Sequence, residues 1–322
     1  MPERVIGIDA GGTKLLGGVL DEALTVHHRV HRRILGLDQS ELLDALTDAV
    51  EEARSAAPDA EVVGFGIPAL VRPTTGSVLF SNHLPLDGLP FRDLMSERLG
   101  VSVWVDNDSN AAMLAEHRAG AARGARDALL LTLGTGIGGG LLLDGEIYRG
   151  SEGAGAELGH IVLDPNGPDC PGACPGRGCL EAFASGNAIG RAGAEAARAH
   201  PESALGKALA GGREVTGPLV TELAHDGDEA ARAVLAEAGR WLGFGLVSLV
   251  NVFNPELVIV GGGASAAGDL LLDPARAVLA ERAMPPNREL ARVVTAHFGD
   301  EAGMIGAAML AFDGSASRRD AA

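Results

Sequence analysis

Aromatic side chains are nearly missing from this chain of 322 residues: they make up 3%, with one tyrosine and two tryptophans. Any core must therefore be aliphatic, built from Ala, Val and Leu, and a hydrophobic content of 46% supplies enough of them. Lysine is rarer still, represented by Lys14 and Lys207 alone. Arginine brings the basic residues to 26 against 43 carboxylates, a formal charge of −17. That balance argues against nucleic acid, whose phosphates demand clustered Lys and Arg, and against an anionic membrane surface. Long apolar runs are also lacking. The longest without a charge, 128–143, holds five glycines and two threonines, so it predicts strand, turn and strand, not a membrane span. The first residues run straight into a strand-like segment with no apolar leader, and the chain is expected in the cytoplasm.

Cysteine is equally scarce, yet all three copies fall within ten residues: Cys170-Pro-Gly-Ala-Cys174-Pro-Gly-Arg-Gly-Cys179. His160 stands ten positions upstream. Thiolate and imidazole are the ligands zinc prefers, and four of them close a tetrahedral structural site. Cysteine is often merely a small buried residue, but that role would not group three copies around turn residues. A disulfide fits less well, because an odd count leaves one thiol over and nothing points to an oxidising compartment. Two carboxylates, Glu157 and Glu181, bracket the run. A metal-stapled loop that presents carboxylates has the character of a pocket wall.

The length predicts two domains, and the alternation of strands and helices predicts α/β layers. Residues 1–121 read as one domain and 122–302 as a larger one carrying the cysteine run. A terminal helix at 303–313 precedes a polar tail, 314–322, expected to be disordered. The opening is a hairpin of strands 5–8 and 15–20 around Asp9-Ala-Gly-Gly-Thr-Lys14. Ser40 is the expected N-cap of a helix with Leu42, Leu43, Leu46, Ala49 and Val50 at helical spacing. A buried strand at 61–67 leads to a long loop, 68–90, then a helix and a short strand. The second half repeats the strand–glycine turn–strand theme at 129–143, which suggests a duplicated architecture. Helices at 182–200 and 230–252 follow, and a buried strand at 257–260 ends in three glycines.

Three glycine turns stand at strand ends: Gly11-Gly12-Thr13, Gly134-Thr135-Gly136 and Gly261-Gly262-Gly263. Successive N–H groups in such turns can form an anion nest, and Asp9 could hold a hydrated Mg²⁺ against phosphate oxygens. Each turn alone could be no more than a tight hairpin; three together suggest a nucleotide clamp. The run Asp106-Asn-Asp-Ser-Asn110 crowds short polar groups between a strand and a helix, where one would suffice as a cap. An Asp there, beside a phosphate cradle, could accept a proton from a substrate hydroxyl. Glu157 and Glu181 suit sugar hydroxyls, and Asn82 and Asn107 add mixed donors and acceptors. His160 could bind metal through one ring nitrogen and aim the other at substrate.

With Asp9-x-Gly-Gly-Thr-Lys14, Asn107-Asp108-x-Asn110-Ala111, Leu133-Gly-Thr-Gly-x-Gly, Glu157-x-Gly-His160 and Gly178-Cys-Leu-Glu181 in place, the chain resembles the sugar kinases of the ROK family, most of all its bacterial glucokinases. The resemblance runs from Asp9 to about Phe312. It implies the two-domain actin–hexokinase (ribonuclease H-like) fold, with the active site in the interdomain cleft and the terminal helix returning to the first domain. It implies Asp108 as the general base for the sugar 6-hydroxyl, with Asn82, Asn107, Glu157, His160 and Glu181 as sugar contacts. Asp9, Gly11 to Lys14 and Gly134 to Gly136 would face ATP and its Mg²⁺, and Gly261 to Gly263 would lie near adenosine. His160, Cys170, Cys174 and Cys179 would bind structural Zn²⁺, although the family generally has one residue between the first two cysteines where three stand here. A homodimer would be usual. Glucose is the leading substrate. The alternatives are N-acetylmannosamine, N-acetylglucosamine or fructose as acceptor, polyphosphate as donor, and a sugar-sensing regulator, which the acidic charge disfavours.

Overall fold

The computed structural model describes residues 2–320, which divide into two compact units. Unit one comprises the chain up to Gly124, Ile147–Ala156, and the residues from Asp300 on; unit two comprises Ala125–Glu146 and Glu157–Gly299. The segment Ile147–Ala156 therefore belongs with unit one, although its place in the sequence put it in the larger domain.

Unit one contains strands β1 (Arg4–Ala10), β2 (Lys14–Asp21), β3 (Val26–Arg33), β4 (Val62–Ile67), β5 (Ala69–Arg72), β6 (Ser77–Ser81) and β7 (Ser102–Asn107). Five of them form a sheet in the order β3-β2-β1-β4-β7, while β5 and β6 make a separate hairpin. β1, β2 and β3 pair antiparallel; β4 and β7 continue the sheet parallel to β1. All six residues of β4 are buried, as expected of a parallel strand covered on both faces. The loop expected at 68–90 thus contains a hairpin, its strands too short and too interrupted by Pro73 and Gly76 to show alternation. β3, with the sequence Val-His-His-Arg-Val-His-Arg-Arg, also escaped the sequence reading. It is an edge strand, and charge along an edge blocks further pairing while hiding the strand pattern.

The helix Gln39–Ala56 begins two residues earlier than Ser40 would cap it. Asp38 accepts the N–H of Glu41 at 2.9 Å, and Glu41 Oε2 accepts the N–H of Asp38 at 2.9 Å. This is a reciprocal capping box. Its buried face joins an aliphatic core in which Phe65 and Phe91 are the aromatic pair, edge to face at 5.3 Å.

Unit two repeats the topology. Its strands β8 (Ala128–Leu133), β9 (Ile137–Leu143), β10 (Glu146–Ile147), β11 (Leu257–Gly261) and β12 (Arg292–Thr295) form a sheet in the order β10-β9-β8-β11-β12. β8 pairs antiparallel with β9, and β11 and β12 extend the sheet parallel to β8. The helical stretch expected at 182–200 is two helices, Leu180–Ala184 and Gly186–Ala199. Ser185 ends one and caps the next by accepting the N–H of Ala188 at 3.2 Å. The helix Glu229–Phe253 is long and apolar enough to cross a membrane, but its apolar face is buried within unit two.

The C-terminal helix, Ala302–Asp320, packs on the first sheet and on the helix Asp108–Ala119. It continues through 314–316, where a disordered tail was expected; residues 321 and 322 lie outside the described residues. The continuation has a packing reason: Gly314 rests on the Trp104 ring, which a Cβ would penetrate. The same closeness holds further back. A Cβ on Gly7 or Gly64 would overlap the carbonyls of Met304 and Ala307, and one on Gly306 would overlap that of Ala111. Gly64→Ala should therefore force the helix off the sheet and lose about 1–3 kcal/mol. A urea midpoint equal to the wild type would refute this packing.

Candidate active site

The parallel strands of unit one bring its polar groups to one end of the sheet. Asp9, Gly66 and Asp106 occupy one rung, paired successively across β1, β4 and β7. One residue on, Asn107 turns the chain into a helix by accepting the N–H groups of Ser109 at 2.9 Å and Asn110 at 3.1 Å. Asp108 is the first residue of that helix, and its Oδ1 accepts the N–H of Ser109 at 2.8 Å. Gly66 leaves room for both acids: a Cβ there would stand 3.3 Å from Asp108 Cα and 3.8 Å from Asp9 Oδ1. Ligands of open α/β sheets bind outside such carboxyl ends.

Two carboxyls of this cluster, Asp9 and Asp108, are raised above the ordinary aspartate value. Loss of water pushes Asp9 up to about 8, and the charges of Asp108 and Asp300 add to the rise while Lys14 opposes it. Lys14 itself pairs with Asp300 at 3.0 Å. Asp108 is likewise raised by loss of water, against the Ser109 N–H and the His83 charge, which pull it down. The glycine turn lies beside them. Gly11 donates its N–H to the Lys14 carbonyl at 2.9 Å, and a Cβ on Gly12 would touch His83 Cβ at 3.3 Å. Asn82 adjoins His83 at the end of β6, half-buried.

In unit two the second glycine turn sits at the carboxyl end of β8. Gly134 donates to the Gly136 carbonyl at 2.9 Å and accepts the N–H of Gly186 at 2.8 Å; Thr135 is exposed. Gly261 pairs with Thr132, and the positive-φ Gly262 passes so close to Leu133 that a Cβ would stand 2.7 Å from its carbonyl oxygen. The two glycine segments of this unit are therefore neighbours.

Ile137, just after the turn, gathers the carboxylate wall. Its N–H donates to Glu181 Oε2 at 2.7 Å, and its carbonyl lies where a Cβ of Gly159 would be. Gly136 leaves room for the same carboxylate, since a Cβ would stand 2.2 Å from Glu181 Oε2. Glu181 is 3% exposed, and its Oε1 has no hydrogen-bond partner. A buried acceptor left unmet costs about 1–3 kcal/mol, which a ligand hydroxyl would recover. His160 follows Gly159, with its Nε2 3.8 Å from Glu157 Oε2 and its Nδ1 3.4 Å from Cys170 Sγ.

The ligand atoms of His160, Cys170, Cys174 and Cys179 all lie within 4.8 Å of one another. A tetrahedron with zinc–sulfur bonds of about 2.3 Å has edges of about 3.8 Å, so this donor set fits a Cys₃His zinc site. The wider spacing after Cys170 does not remove it from the cluster, because Cys170 donates its N–H to the Gly176 carbonyl at 2.9 Å and folds the loop back. Gly176 N–H points at Cys174 Sγ, 3.4 Å away. Burial, then the neighbouring thiols, push the Cys170 thiol far above its ordinary range, so a thiolate here calls for a cation.

The model of the ROK family matches residues 5–313. The chain belongs to the ROK family. It is 37% identical to the glucokinase of Streptomyces coelicolor over 95% of this chain and 96% of that one. It is 35% identical to the glucokinase of Thermotoga maritima over 96% and 98%. Among solved structures, a ROK family glucokinase from Streptomyces griseus in complex with glucose and AMPPNP superposes with a TM-score of 0.88 at 36% identity, over 96% of this chain and 99% of that one. The fold is that of the actin-like ATPases and hexokinases.

Sequence reading missed several groups that stand beside these candidates. His83 and Asp300 carry no local motif and meet Lys14, Asp9 and Asp108 only through folding. Asp106 lay within the polar run, but its pairing with Arg149 Nε at 2.6 Å was not legible. Asp9 offers a test of the cluster. Below its ordinary 3.8 the carboxyl is protonated in both states; as pH rises to about 8 the unfolded chain ionises while the fold retains the proton, so stability declines across that window. Asp9→Asn should remove the decline and melt higher than the wild type at pH 8 in chelator, with little difference at pH 4. Parallel melting curves at both pH values would overturn the assignment.

Proposed function

We propose that this chain is an ATP-dependent glucokinase, transferring the γ-phosphoryl group of ATP to the 6-hydroxyl of glucose. The observation that carries the reading is Asp108, set at the carboxyl ends of three parallel strands beside Asp9 and the glycine turn. The glucokinase relatives, similar over nearly the whole chain, support the same substrate pair.

Asp108 is the base. Its rise by loss of water makes it a stronger proton acceptor than an ordinary aspartate. It takes the proton of the 6-hydroxyl as that oxygen attacks the γ-phosphorus and ADP leaves. Asn82, Asn107, Glu157, His160 and Glu181 bind the sugar, and the unpartnered Glu181 Oε1 accepts one of its hydroxyls. Gly11, Gly12, Thr13 and Lys14 with Gly134, Thr135 and Gly136 hold the phosphates, while Gly261, Gly262 and Gly263 border the adenosine. Mg²⁺ brought with ATP supplies the countercharge that Asp9 and its acidic neighbours call for. His160, Cys170, Cys174 and Cys179 would hold a structural Zn²⁺, which would fix the His160 ring beside Glu157 and the sugar. The enzyme works as a cytoplasmic homodimer, in line with the family resemblance.

A coupled assay over glucose, fructose, N-acetylmannosamine and N-acetylglucosamine, with ATP or polyphosphate, tests the substrate pair; activity on glucose with ATP should lead. Asp108→Asn should lower kcat about 10²–10⁴-fold with hexose affinity retained. A wild-type rate from this variant would remove Asp108 from the mechanism. Wild-type kcat should also fall on the acid side with an apparent pKa above the ordinary carboxylate range, because only the ionised base accepts the proton. For the metal, dialysed protein should retain about one zinc per chain, and Cys174→Ser should lose it and melt lower. Less than about half an equivalent in the wild type would count against the site.

A further inference from the structure

Asp106 is 4% exposed, and the donors on its carboxylate include one cation. Its Oδ1 accepts the N–H of Asn107 at 2.8 Å and the side-chain amide of Asn110 at 3.2 Å; its Oδ2 accepts Arg149 Nε at 2.6 Å. Two of these donors belong to the turn that carries Asn107 and Asp108. The third comes from Ile147–Ala156, the segment that returns to unit one and ends one residue before Glu157.

That segment is firmly held. Arg149 also donates to the Ile147 carbonyl at 3.2 Å, Arg72 pairs with Glu152 at 2.8 Å, and Gly155 donates to the Arg149 carbonyl at 3.0 Å. Gly153 passes so near the Val71 carbonyl that no Cβ would fit. We propose that Arg149 is a positioning residue: through Asp106 it holds the Asn107–Asp108 turn in register for proton transfer. Arg149 acts on the carboxylate and not on the substrate. Without it, Asp106 is a buried charge with no cation, and breaking one side of such a pair is more disruptive than replacing both. The carboxylate would turn toward water, which releases the Asn107 N–H and shifts the turn. Because Glu157 follows the same segment, loosening it disturbs a proposed sugar ligand as well as the base. Lysine would keep the charge but not the planar guanidinium that reaches Oδ2 and the Ile147 carbonyl together.

The inference rests on the kinase reading, and steady-state kinetics of the full-length wild type, Arg149→Met and Arg149→Lys separate the two. In Arg149→Met, kcat should fall about ten- to hundredfold, as an ångström-scale misplacement does. The hexose KM should rise and the ATP KM stay within about twofold. Arg149→Lys should recover the melting temperature yet remain several-fold down in kcat. The inference is overturned if Arg149→Met keeps kcat and hexose KM within about twofold of wild type, or loses activity only in proportion to unfolded protein. If Arg149→Met does not fold, wild-type kinetics in Arg149→Lys overturn it equally. A wild type inactive on every hexose sinks the kinase reading and this inference with it; an active wild type beside an unaffected Arg149→Met sinks this inference alone.

Discussion

Asp9 and Asp108 repel one another at the end of a sheet whose strands leave them little water, and the rest of unit one is arranged to keep them there. Left to themselves, two such carboxylates would separate or take up protons. The backbone prevents separation, since Asp9 is fixed by parallel pairing to β4 and Asp108 follows directly on the paired Asn107 as the first residue of its helix. The C-terminal helix closes the third side. Its first turn approaches Asp9 so closely that a Cβ on Gly303 would stand 2.5 Å from Asp9 Cγ. That approach is helped by Gly7 and Gly64, which let helix and strands meet backbone to backbone, and by Gly306, which does the same for the helix Asp108–Ala119. Packing energy gathered across the unit thus sustains a local arrangement that is unfavourable by itself, which is common where function requires it.

Unit two reaches a comparable end by different means. Its carboxylate wall depends on hydrogen bonding and ligand chemistry more than on sheet pairing. Ile137 ties Glu181 to the glycine turn through one N–H, and Gly159 brings His160 to the same place. The cysteine loop holds few large apolar side chains and has short helical structure only at its flanks. A metal ion on the Cys₃His cluster would supply the rigidity that such a loop cannot obtain from a core. The scarcity of aromatic residues has the same consequence elsewhere, where aliphatic packing and close glycine contacts replace large rings.

Much of the candidate site was legible because its proposed chemistry is local in sequence. Asp9 to Lys14, Asn107 to Asn110, Gly134 to Gly136 and the three cysteines each announce a turn, a cap or a ligand set within a few residues. The helix cap was placed two residues late, since Asp38 and Ser40 are both good caps and the reciprocal bond with Glu41 decides between them. β3 stayed hidden because an edge strand carrying six His and Arg residues has no apolar alternation. The hairpin of β5 and β6 was concealed by the turn residues that make it possible.

Arg149, His83 and Asp300 could not have been found by spacing, for each is distant in sequence from the carboxyl it faces. What the sequence alone determined were the α/β class, the duplicated strand–turn–strand plan, the acidic character and the identity of the groups able to do chemistry. Those follow from side-chain type and short-range periodicity. Only the tertiary structure decided which of those groups meet, that Ile147–Ala156 belongs with unit one, and that Glu181 keeps one oxygen unsatisfied. Such outcomes depend on the register between strands far apart in the chain and on exclusion of water, and neither is encoded in any short window of residues.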